Sequence, residues 1–153
     1  MMRIAIGSDH GGFHLKENLK KFLQNQGFGT DDFGTDSEKP ADYPDTGFKL
    51  AEAVRKRKGG KGILACKSGI GMAICANKVR GIRAALCDTR REAELSRRHN
   101  DANVIVLSAN FLTAKKAQAI VKVWLKTRFD SGRHARRIQK VMRYEQKHWK
   151  GMV

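Results

Sequence analysis

In Gly62-Ile63-Leu64-Ala65-Cys66-Lys67-Ser68-Gly69-Ile70-Gly71-Met72 a short apolar run delivers a cysteine to a tight Ser-Gly-Ile-Gly turn, and a helix-like segment follows from Met72 to Lys78. Strand, turn and helix in that order leave several backbone N–H groups unpaired at the helix start, a concave site for negative charge. Cys66 stands at the lip of that site, where the same groups would stabilise a thiolate. A candidate base beside a candidate oxyanion cradle is the minimum for chemistry at a carbonyl.

Working outward, the same alternation recurs. Arg3 to Ser8 reads as a buried strand that ends at Asp9-His10-Gly11-Gly12, and Phe13, Leu15, Leu19, Phe22 and Leu23 follow at helical spacing. A short strand is expected around Thr30 to Phe33, then a polar loop containing Tyr43. A helix comes next, with Phe48, Leu50, Ala51 and Val54 on its apolar side. Beyond the cysteine segment, Gly81 to Leu86 reads as a strand, Asp88-Thr89 begins a helix carrying His99 near its end, and Val104 to Leu107 is the last strand. Leu112 to Leu125 and a basic segment from Arg133 onward complete the helices. The pattern predicts an α/β fold: one doubly wound, Rossmann-like parallel sheet with helices on both faces and a basic C-terminal helix. Residues 1–132 form the core, and 133–153 an arm of the same domain. In such sheets ligands bind beyond the carboxyl ends of the strands, where Asp9-His10, Cys66 to Gly71 and the loop after Leu86 fall.

The chain of 153 residues fits one domain, and its 41% hydrophobic content reads as globular. No apolar run approaches the ~20 residues of a membrane span. Three cysteines, Cys66, Cys75 and Cys87, have neither paired nor metal-ligand spacing, which suits a reducing cytoplasm. The formal charge of +16 is extreme for this length; Arg55 to Lys58 with Lys61, and the tail from Arg133 to Lys150, supply much of it. Such a charge serves an anionic partner or mere solubility. No zinc-finger, RNA-recognition-motif or homeodomain pattern is present, so specific nucleic-acid binding is not expected. No dinucleotide or Walker-type loop appears either.

Each candidate has a plainer alternative. A cysteine at a glycine turn is often a small buried hydrophobe. Cys75 reads as core, and Cys87 stays open. His99 can serve as a charge favouring a helix C-terminus. His14 reads as a surface residue, and His148, near the chain end, is the least expected of the five histidines to matter. The tail helix, with only Ile138, Val141, Met142 and Trp149 as an apolar stripe, is either a solvated tail or an arm that docks on a second subunit.

Eight segments in unbroken order make a recognisable set: Gly7 to Phe13, Asp32 to Thr35, Asp42 to Asp45, Cys66 to Met72, Ala76 to Lys78, Gly81 to Leu86, His99 to Asn103 and Gly132 to Arg137. Together, over residues 3 to about 140, they resemble the ribose/galactose isomerase family, which holds ribose-5-phosphate isomerase B and the galactose-6-phosphate isomerase subunits. The resemblance implies an aldose–ketose isomerase of the pentose phosphate pathway that needs no metal and no cofactor. It implies Cys66 as the base between C1 and C2, and His99 in opening the furanose ring. Ser68 and the backbone of Lys67, Gly69, Ile70 and Gly71 would hold the enediolate oxygen. Asp9, His10, Tyr43 and Asn100 would line the sugar, and Arg133 and Arg137 would grip the phosphate. It also implies a homodimer or tetramer with active sites between subunits. Two positions depart from the family pattern: Lys67, where glycine is usual, and Asn110, where arginine is common. Rival readings are a six-carbon sugar phosphate as substrate, or a relative that binds polyanions without turnover.

Overall fold

A computed structural model describes residues 1–149; the last four, including Lys150 of the basic tail, lie outside the described residues. Five strands, β1 (Arg3–Ser8), β2 (Gly29–Asp32), β3 (Gly62–Cys66), β4 (Ala84–Leu86) and β5 (Val104–Ser108), form one sheet in the order β2-β1-β3-β5-β4. Every pair is parallel. The helices are α1 (Phe13–Asn25), α2 (Tyr43–Lys56), α3 (Ile70–Asn77), α4 (Arg90–Asn100), α5 (Ala114–Lys126) and α6 (Arg133–His148).

Strand residues alternate between two cores, as the pleat requires. Ile4, Ile6, Ile63, Ala65, Ile105 and Leu107 pack with Leu15, Leu19, Leu23, Ala93 and Trp124 from α1, α4 and α5. Ala5, Leu64, Cys66, Val104 and Val106 point the other way, against Leu50, Ala51 and Val54 of α2 and Met72 and Ala76 of α3. Helices therefore cover both faces, and Cys66 belongs to the α2–α3 side.

Local chemistry sets the helix starts. Thr89 and Glu92 form a reciprocal capping box at α4, and Thr113 caps α5 through the Lys116 amide. The expected strand from Gly81 is shorter, because Asn103 binds the Arg83 amide and the Gly81 carbonyl and only Ala84 to Leu86 join the ladder. Phe48 does not join the apolar side of α2: it is 43% exposed, while Leu50, Ala51 and Val54 are buried. No described helix is long and apolar enough to cross a membrane.

The arm, α6, lies back over its own chain. Its Glu145 carboxylate accepts from the Gly81 amide at 3.1 Å. None of its residues is fully buried, and Val141, Met142 and Tyr144 are exposed.

Candidate active site

The β3–α3 turn builds the first half of the site. Gly69 adopts φ +78°, with Leu86 pressed where a Cβ would stand, so a side chain there is excluded twice over. The turn places the Gly69 amide 3.1 Å from the Cys66 sulfur, and the Ser68 and Met72 amides also face it. Ser108 Oγ fastens the turn by donating to the Ser68 carbonyl at 2.6 Å. The Ile70 amide binds Ser68 Oγ at 3.2 Å, which leaves that hydroxyl free to donate elsewhere. Much of the backbone expected to receive an outside oxygen is thus directed at the sulfur itself.

Cys66 is 5% exposed rather than set at an open lip. Burial pushes its thiol up; the Met72, Gly69 and Ser68 amides pull it down, the Asp9 carboxylate pushes it further up, and the rise prevails. The expectation of a thiol lowered by the turn is corrected, because desolvation outweighs the amide dipoles. Cys75 and Cys87 are buried, and burial pushes Cys87 up to about 12, so both read as core. All three cysteines are free thiols.

Neighbouring segments converge on this turn. Asp9, buried, accepts from the Gly12 amide at 3.1 Å. His10 Nδ1 is held against the Ala41 backbone, 3.1 Å from its amide and 3.2 Å from its carbonyl oxygen. Tyr43, at the start of α2, lays its ring on Gly71, where an added Cβ would meet Cζ at 2.7 Å. Lys67 keeps an ordinary backbone conformation, and its exposed side chain runs along Gly11. Lysine therefore fits without backbone strain. Asn110, exposed, donates its backbone N–H to the Lys67 carbonyl at 3.0 Å.

The second half lies elsewhere. Strand β5 starts beside the start of β3 (Gly62 with Val104) and ends beside its end (Cys66 with Ser108). His99 and Asn100 close α4, just before β5 begins, so they stand at the starting edge of the sheet, ~13 Å or more along the strand direction from Cys66. There α6 covers a cleft of about 740 Å³ lined by His99, Asn100, His134, Arg137, Ile138 and neighbours, with none of Asp9, Tyr43 or Cys66 among them. His99 stacks on His134, ring centroids 4.3 Å apart. Desolvation, then the charges of His99, Arg133 and Arg137, lower the His134 pKa. Arg133 and Arg137, one turn apart on α6, are both exposed.

The expected residues therefore form two groups that one chain does not unite. Asp9, His10, Tyr43, Cys66 and the turn make one; His99, Asn100, Arg133 and Arg137 make the other. His134 stood in a quoted segment without a role, although its place one turn from Arg137 and Ile138 puts it on the same face of the helix as both.

Comparison with known proteins gives this arrangement its context. The profile of the family described as Ribose/Galactose Isomerase matches residues 4–141. The solved structure of ribose-5-phosphate isomerase B from Clostridium thermocellum is 46% identical, with a TM-score of 0.92, over 96% of this chain and 99% of that one. The Mycoplasma genitalium enzyme, solved with bound ribulose-5-phosphate, is 41% identical, with a TM-score of 0.91, over 95% and 97% of the two chains. D-erythrulose-4-phosphate isomerase of Pectobacterium atrosepticum is 40% identical over 95% of this chain and 96% of its own. A shared fold, near-complete coverage of both partners and a profile match spanning both residue groups place the chain in the ribose/galactose isomerase family.

Proposed function

We propose that this sugar-phosphate isomerase of the ribose-5-phosphate isomerase B type interconverts ribose 5-phosphate and ribulose 5-phosphate through an enediolate, without a metal. The observation that carries the reading is the Cys66 sulfur at the carboxyl edge of the sheet, enclosed by the Ser68, Gly69 and Met72 amides. The thiolate of Cys66 removes the proton from C2 of the open-chain aldose, and the C1 carbonyl takes up the electron pair as an enediolate. The same thiol returns the proton to C1, while the hydroxyl proton on the C2 oxygen passes to the C1 oxygen, so that C2 becomes the ketone and C1 carries the new hydroxyl. The Ser68 hydroxyl and the turn amides not bound to sulfur donate to the enediolate oxygen. Asp9, His10 and Tyr43 orient the sugar.

His99, Asn100, Arg133 and Arg137 come from a second copy of the chain. His99 moves a proton at the ring oxygen, and the two arginines hold the phosphate bidentately, away from the reacting carbons. The separation of the two groups within one protomer supports this reading, because neither group alone has both a base and a phosphate clamp. Three free thiols suit a reducing compartment such as the cytoplasm.

Purified protein offered ribose 5-phosphate, D-erythrulose 4-phosphate and allose 6-phosphate side by side tests substrate and reaction together. Ribose 5-phosphate is expected to turn over fastest, and Cys66→Ala to lose ~10²–10⁴-fold in rate. Preference for a shorter or longer sugar moves the specificity, and Lys67 and Asn110 become the residues to exchange. Absence of turnover with steeply salt-dependent RNA binding identifies a polyanion-binding relative instead.

A further inference from the structure

His99 and His134 stack ring on ring, their planes 10° from parallel. Asp130, in the connection just before α6, brings a carboxylate to the same place. One candidate ligand atom from each of His99, Asp130 and His134 lies within 4.8 Å of the other two. The three come from independent anchors: the last turn of α4, the connection itself and the first turn of α6. That connection is fixed, since the Asp130 amide donates to the Arg98 carbonyl at 3.0 Å and its carboxylate pairs with Arg98 Nε at 3.0 Å.

We propose that His99, Asp130 and His134 bind a divalent first-row transition-metal ion of the zinc, cobalt or nickel kind. Two imidazoles and one carboxylate select such ions over magnesium or calcium, which favour all-oxygen shells. Ligand atoms around a tetrahedral zinc stand ~3.3 Å apart, so the trio closes by at most about 1.5 Å on binding. Both histidines are only partly buried, and rotation of the rings out of their stack turns two side-by-side nitrogens into a convergent pair. Arg98 competes for Asp130, and Arg133 and Arg137 oppose a cation, so the site is a reversible one rather than a permanent structural centre. Three protein ligands leave a further position for water or a ligand oxygen.

The binding stands apart from the isomerase reading; its consequence rests on it. A metal on His99 withdraws that ring from proton transfer, which makes the ion an inhibitor and not a cofactor.

Untagged full-length protein is titrated with cobalt(II), followed by its visible d–d absorption and by calorimetry. One ion per chain is expected, with no thiolate-to-cobalt charge-transfer band. His134→Phe keeps an aromatic partner for His99 and removes the nitrogen; it should weaken binding at least ~100-fold, and Asp130→Asn should weaken it less. His134→Gln serves as the second variant if the Phe substitution disturbs folding by circular dichroism. Failure to saturate, affinity unchanged in the His134 variants, or a thiolate band that vanishes in Cys66→Ser overturns the assignment. Zinc inhibition of sugar isomerisation should parallel cobalt affinity across the variants; full activity in the zinc-loaded protein overturns the inhibitory consequence alone. A protein that binds cobalt at His134 but isomerises nothing refutes the isomerase reading and leaves the site standing.

Discussion

Asp9 and Cys66 work against each other electrostatically: the buried carboxylate adds to the burial that already pushes the thiol up. Removing the charge should therefore make the thiolate easier to form. Asp9→Asn is expected to move the alkaline-rising limb of the kcat/KM profile to lower pH than wild type, whatever smaller effect it has on sugar binding. An unmoved limb would separate the titrating base from Cys66. The turn itself was legible in sequence, because Ser68-Gly69-Ile70-Gly71 needs a left-handed residue and Gly69 supplies it. The direction of the thiol shift was not. Amide count is local information, whereas the enclosure of the sulfur depends on packing from α2 and α3. How Lys67 fits where glycine is usual was not legible for the same reason: its exposed side chain runs along Gly11, which is distant in sequence.

The connection after β2 owes its path to a buried cation. Lys16 of α1 is 1% exposed, with its ammonium 2.8 Å from the Asp32 carboxylate and also donating to the Thr35 carbonyl. Thr35 in turn donates its amide to the Ser8 carbonyl at 2.6 Å, tying the connection to the strand end that presents Asp9. Asp32→Ala leaves Lys16 with only the more distant Glu17 carboxylate, at 3.4 Å, as counter-charge and should destabilise the fold by ~3 kcal/mol, read by denaturant unfolding. Burial works against ionising Asp32, but Lys16, Lys20 and the Gly34 amide hold its carboxyl below the ordinary 3.8. A depressed acid contributes its stability in full above that ordinary value and loses it as pH falls below. Wild type should accordingly lose stability in acid more steeply than Asp32→Ala; equal slopes would remove the pair from the account. At this scale the strands were the most readable elements, since Ile4 to Ile6 and Val104 to Leu107 are continuous apolar runs. Phe48 and the shortened β4 were not, because each depends on a tertiary neighbour: the available helix face in one case, the Asn103 amide in the other.

Across the whole molecule, parallel topology separates what the chemistry has to join. Strand ends carry Asp9 and Cys66 to one edge, while the antiparallel run of α4 returns His99 to the other. The alternation of strand and helix made both edges legible, but the proposed pairing of two copies rests on surface shape that no local pattern encodes. The arginines of α6 account for only part of the formal charge of +16. The central claim is that one working site takes Cys66 from one copy and His99 from another. Mixing inactive Cys66→Ala with inactive His99→Ala protein, under conditions where subunits exchange, tests it directly. Random pairing of a two-fold dimer should restore about a quarter of the wild-type sites, each built from the intact half of either chain. Activity that stays at the level of the separate variants, with exchange verified by mass, would contradict the shared site.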